Sequence, residues 1–176
     1  MHQDNKLMDM LTGYAAAHQH PFNILVHLIG IPTIMLGALI PMTWLAFETG
    51  VGTITLAHLL VFGFFVFYMT LDRIFAIVFL VMALLLTMLA MRIGALPMAT
   101  SGSIAAAMFF GGYALQFVGH AVEKSMPVLV KHPIQANLAA PFFTIVELFK
   151  IAGLRSELFN AVQQEIAVRR QASATE

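Results

Sequence analysis

Three histidines stand where so apolar a chain would place chemistry. His18 and His27 lie at the start of the first long apolar run; His120 closes the last such run, with Glu123 one helical turn beyond. Ionisable groups at the ends of membrane spans are a functional hypothesis by default. Three imidazoles with a carboxylate nearby make a ligand set for iron(II) or zinc. The spacings around them agree. Asn23 and His27 are i,i+4 neighbours, Gln116, His120 and Glu123 follow i,i+4,i+7, and Tyr68 and Asp72 repeat i,i+4, so each set shares one helical face. Asn23, Gln116 and Asp72, with Tyr68 beside Asp72, are placed to orient the imidazoles by accepting their second N–H.

Such residues meet only if the intervening chain folds to bring them together. The 176 residues are 60% hydrophobic and 10% charged, far below the roughly 25% charge of a soluble domain. The mean hydropathy is +0.85. This is the composition of an integral membrane protein, read as one domain over residues 1–176. The net charge is zero, so nothing argues for a nucleic-acid partner, and the absence of cysteine excludes disulfides and thiolate metal sites. The polar start, MHQDNKLMDMLTGYAAAHQHP, lacks a basic segment leading directly into an apolar one, so no cleaved signal peptide is expected.

The expected fold is all-α, a polytopic membrane helix bundle of about four spans with amphipathic helices at both ends. Residues 3–17 predict a surface helix with Leu7, Met10, Leu11 and Tyr14 on one face and Asp4, Lys6 and Asp9 away from it. His20-Pro21 predicts a helix start. Spans are expected at roughly 22–47, 53–71, 74–91 and 103–121, with a kink near Pro32 and a tight turn at Asp72-Arg73. Residues 142–151 are short for a span and predict a re-entrant or interfacial helix ending at Gly153. A last amphipathic helix is expected over 156–170, with Leu158, Val162 and Ile166 in one stripe.

Four spans put both termini on one side. Lys6, Arg73, Lys124, Lys131, Lys150, Arg155, Arg169 and Arg170 fall on that side and Arg92 on the other, so the positive-inside rule makes it the cytoplasm. The same topology carries His18, His27, Asn23, Tyr68, Asp72, Gln116, His120 and Glu123 to the cytoplasmic face. His58 reads as a packed or hydrogen-bonded residue inside span two, and His2, His20 and His132 as tail, cap and loop residues.

The string Tyr14-x3-His18-x4-Asn23-x3-His27-x2-Gly30-Ile31-Pro32, with Gln116-x2-Gly119-His120-x2-Glu123-x3-Pro127 further on, resembles a family of small membrane proteins long catalogued as a domain of unknown function. The segment from Ala140-Pro141-Phe142 through Glu147 to Gly153-Leu154-Arg155 also resembles that family's C-terminal pattern. The characterised fungal member is a 2-hydroxy fatty acid dioxygenase of the endoplasmic reticulum. The resemblance implies an iron(II)-dependent α-oxidation in which a 2-hydroxy fatty acid and dioxygen give an acid one carbon shorter. Carried over by position, the implied iron ligands are His18, His27 and His120, while Glu123 matches an acidic position that either completes the site or stands beside it. The compact chain, with no evident endoplasmic-reticulum retrieval signal, reads as a bacterial inner-membrane protein.

Other classes remain open on these residues. A zinc-dependent membrane hydrolase would use the same ligands, and a lipid-binding or transport protein would need no metal. A two-iron membrane hydroxylase needs more histidines in close boxes than the seven present, and no HxxHH string occurs. A homo-oligomer is compatible with the sequence.

Overall fold

The computed structural model describes residues 2–16, 18–50 and 52–174; the side chains of residues 2–6, 14, 16, 169, 170 and 172–174 are outside the description. Tyr14, Asp4 and Lys6 of the expected amphipathic pattern therefore lie outside it. The elements run α1 (His2–Ala16), α2 (Pro21–Met42), β1 (Ala46–Thr49), β2 (Gly52–Thr55), α3 (Leu56–Met69), α4 (Arg73–Gly94), α5 (Met98–Glu123), α6 (Val128–Lys131), α7 (Pro133–Ile151) and α8 (Ser156–Ala174). Among the described residues, four helices, α2, α4, α5 and α7, are long and apolar enough to cross a membrane. Large apolar side chains such as Leu25, Ile29, Phe62, Leu85, Met88 and Phe110 face outward, the exterior that hydrocarbon requires.

The α2 helix is the axis of the bundle and packs on α3, α4, α5 and α7. Its start follows from local chemistry: Pro21 occupies the first turn, where its missing N–H costs nothing, and the His20 Nδ1 accepts from the Phe22 amide at 3.2 Å. Its pairing with α5 rests on small residues seven apart on both helices. A methyl on Gly37 would lie 2.6 Å from the Phe109 nitrogen and 2.8 Å from the Ala105 oxygen; one on Gly112 would lie 2.9 Å from the Gly30 oxygen; one on Gly119 would collide with Asn23 and Val26. Residues 23, 30 and 37 thus meet 119, 112 and 105 in antiparallel register, and the backbones approach because no side chain holds them apart.

Two expected spans differ from the observed elements. Residues 53–71 do not form one span, and the first does not continue to Phe47. Between them lies an antiparallel hairpin in which Phe47 faces Ile54 and Ala46 faces Thr55. The β-branched run Thr53-Ile54-Thr55 favours a strand, and Thr55 then opens α3, its backbone amide donating to His58 Nδ1 at 3.1 Å. His58 is accordingly a capping residue. With 14 residues, α3 is about 21 Å long, short of a hydrocarbon core of roughly 30 Å.

The second difference is α7. The apolar piece 142–151 is the later part of a 19-residue helix that begins at Pro133 and continues through Pro141, two prolines that obscure it in the sequence. It ends as expected: Gly153 adopts a positive φ of 68°, and Leu154 N–H and Gly153 N–H return to the Phe149 and Lys150 carbonyls at 2.8 and 3.0 Å. The contacts of α7 fall on the bundle end that holds the start of α2. They reach Tyr113 of α5, Tyr68 of α3 and Phe75 of α4. Outside this end, α1 pairs with α8 and buries Leu7 and Leu11 alongside Val162 and Ile166.

Candidate metal centre

The antiparallel α2–α5 pairing brings the beginning of one helix to the end of the other. His27 sits on the second turn of α2 and His120 on the last turn of α5; His18 comes from the connection between α1 and α2. All three are buried. Their rings form a compact triangle, with centroid separations of 4.5 Å (His18–His27), 4.9 Å (His18–His120) and 5.0 Å (His27–His120). One ligand nitrogen from each lies within 4.8 Å of the others.

The donor set fits a metal ion. The Nε2 atoms of His18 and His27 are 3.2 Å apart. Two nitrogens each about 2.1 Å from a common ion are separated by roughly 3.0–3.4 Å at angles between octahedral and tetrahedral. His27 is also held in the required tautomer. Its Nδ1 is 2.9 Å from the Asn23 carbonyl oxygen; a carbonyl only accepts, so Nδ1 carries the hydrogen and Nε2 the lone pair. His120 Nδ1 shares a hydrogen bond of 2.9 Å with Ser125 Oγ, leaving Nε2 for the centre. Ser125 reaches that position because Lys124 adopts a left-handed φ of 56° and Ser125 N–H closes onto the His120 carbonyl at 3.0 Å. No sequence signal marks this turn, since the residue in the left-handed position is a lysine and not the usual glycine.

Glu123 stands beside the triangle as a clamp. Its Oε1 accepts from the Gln19 and His20 amides at 2.6 and 3.0 Å, and its Oε2 accepts from Asn23 Nδ2. The end of α5 thereby fixes the connection that carries His18. Glu123→Gln can keep these bonds, because its amide oxygen serves both backbone donors and Asn23 can turn its amide to present oxygen. Glu123→Ala cannot. Metal affinity, measured by competition with a chelator, is expected to fall about 10–100-fold in Glu123→Ala and little in Glu123→Gln. Equal, severe losses in both would instead make the carboxylate a ligand.

Asp72 and Tyr68, expected to orient imidazoles, do other work. Asp72 caps α4, accepting from the Ile74 and Phe75 amides at 2.9 and 3.0 Å, and pairs with Arg155 Nη1 at 2.6 Å while that guanidinium lies 4.6 Å over the Phe75 ring. The Tyr68 hydroxyl donates to the Leu138 carbonyl at 2.7 Å. The reason is α7, which enters between them and the histidines: Phe142 packs on Tyr68 at 5.0 Å between centroids, and the next residue, Phe143, lies 5.5 Å from His18. Asn23 supports His27 through its backbone oxygen, and its side chain serves Glu123. Gln116 lies in the wall of a cavity, one turn from His120.

That cavity has about 1040 Å³ of empty space, its open mouth included, and all three histidines line one part of it. The rest is mainly apolar: Ile31 and Leu39 of α2, Val61 and Phe64 of α3, Phe79 of α4 and Phe109 of α5 among others. From His27 to Leu39 the α2 wall is about 18 Å long. An extended chain of about a dozen methylenes, each advancing roughly 1.3 Å, has a similar length.

A bundle of apolar helices thus carries a buried three-histidine group that could hold a metal ion, at one end of a mainly apolar cavity. Residues 5–151 match the family model described as 2-hydroxy-palmitic acid dioxygenase Mpo1-like. The chain belongs to that family. Neither the curated proteins nor the solved structures searched gave a match.

Proposed function

We propose that this protein is an iron(II)-dependent dioxygenase that shortens 2-hydroxy fatty acids by one carbon. Its site would lie at the cytoplasmic face of a bacterial inner membrane, the side marked by the basic residues. The observation that carries this reading is the histidine triangle opening onto an apolar cavity of acyl-chain length, in a chain of the dioxygenase family.

His18, His27 and His120 would hold the iron, and Glu123, Asn23 and Ser125 would hold the histidines. Bound iron(II) supplies the redox capacity for dioxygen to oxidise the 2-hydroxy carbon. Three neutral imidazoles leave the charge of a divalent ion uncompensated, which favours an anionic, chelating substrate head. The apolar wall receives the tail and excludes water from the reacting carbon. Overall, a 2-hydroxy acid and dioxygen become the shortened acid, carbon dioxide and water, a balance that needs no further reductant.

The test is anaerobic purification, elemental analysis, then addition of 2-hydroxypalmitate and air. Bound iron, oxygen consumption and an acid one carbon shorter are expected. Folded protein without metal would sink the reading. Zinc without oxygen uptake would turn it towards a hydrolase.

A further inference from the structure

Six polar side chains line the cavity: the three histidines, Tyr113, Gln116 and Asn137. Tyr113 and Asn137 satisfy one another. The phenol donates to Asn137 Oδ1 at 2.7 Å, and Asn137 Nδ2 donates to the Pro133 carbonyl at 2.8 Å, tying α7 to α5. Gln116 differs. It is half-buried, it precedes His120 by one turn on the same face of α5, and its amide has no hydrogen-bond partner among the described residues. A methyl on Gly30 would lie 3.5 Å from Gln116 Cγ, so the side-chain stem is laid against the α2 backbone.

An amide left unpartnered beside the histidines in a mainly apolar cavity keeps its donor and acceptor available to a polar ligand group. We propose that Gln116 is a substrate-recognition residue: its amide N–H donates to the carboxylate of a 2-hydroxy acid, and its carbonyl accepts from the 2-hydroxyl. This rests on the proposed function and adds the residue that distinguishes such a head from a bare hydrocarbon end. Placement one turn from His120 puts the amide where the head must lie if the histidine centre is to act on it. The tail then runs towards Phe64 and Leu39.

The test compares binding to anaerobic, iron-loaded protein, where no turnover occurs, by calorimetry. Gln116→Met keeps the length and loses the hydrogen bonds; Gln116→Glu keeps the shape and opposes the carboxylate. Both variants are expected to retain wild-type iron content. The Kd for 2-hydroxypalmitate should rise about tenfold or more in Gln116→Met and further in Gln116→Glu, with the Kd for n-hexadecane, which has the tail alone, unchanged in Gln116→Met. Parallel weakening of both ligands in Gln116→Met would overturn the proposal and make Gln116 a shaping residue of the wall. Loss of iron from either variant would also overturn it, in favour of a role in holding the histidines. Unchanged acid binding in Gln116→Met would do the same, while wild-type protein that holds iron but binds no 2-hydroxy acid would remove both the recognition role and the proposed substrate.

Discussion

Protein carrying His27→Ala is expected to fold and to lose its metal. His27 is 1% exposed and offers one of the three grouped nitrogens, its Nε2 lone pair freed by the Nδ1 hydrogen bond to the Asn23 carbonyl. Removing a group that merely supports a ligand typically costs 10–100-fold in metal affinity, so removing the ligand costs more, and metal content after dialysis should fall to background. The graded partner of this experiment is Ser125→Ala. It leaves all three imidazoles in place and removes only the hydroxyl that orients His120, so its loss should stay within about 10–100-fold. Metal stoichiometry beside thermal unfolding separates a lost site from a lost fold. Full metal retention in His27→Ala protein of normal stability would exclude the histidine triangle as the binding site.

The second large effect is expected away from any ligand. In Gly37→Ala the new methyl meets the backbone of α5 at Phe109 and Ala105, at 2.6 and 2.8 Å. Backbone cannot rotate away as a side-chain tip can, so the helices must separate. A loss of about 3 kcal/mol, the upper end for overpacking, is expected. Because α2 and α5 carry His27 and His120, metal affinity should fall with it. Gly111→Ala is the control: it lies on α5 next to Gly112, yet nothing stands within 4 Å of its added methyl. That variant should match or slightly exceed wild type, since alanine is the better helix former. Equal unfolding temperatures for Gly37→Ala and Gly111→Ala in the same detergent would contradict the close packing of these helices.

This contrast also shows what a linear reading of the chain missed. Gly30, Gly37, Gly112 and Gly119 repeat at seven on two separate runs, a visible pattern that predicts close approach of two helices. Gly37 alone suggests only a weak point in a helix. The meaning of the repeat lies in its coincidence with a second one eighty residues away, and only the antiparallel pairing of residue 30 with residue 112 reveals it.

The sequence by itself determined which end of the bundle gathers the three histidines. Apolar runs located α2, α4 and α5 but neither the shortness of α3 nor the length of α7, and i,i+4 spacing set which polar residues share a face. Alternation of span direction then brings the start of α2 and the end of α5 together, so the convergence of His18, His27 and His120 was legible. These are properties of periodicity, which a helix imposes residue by residue. Tertiary structure alone decided which polar residues on that end face the histidines. Asp72 and Tyr68 share the end but are screened by Phe142 and Phe143, because α7 packs across it through helix-compatible prolines that read as breaks. Ser125 gained its place from a left-handed lysine, and Glu123 from backbone amides more than a hundred residues earlier in the chain. Spacing along a helix fixes a direction, but the partner found in that direction depends on which other helix fills the space.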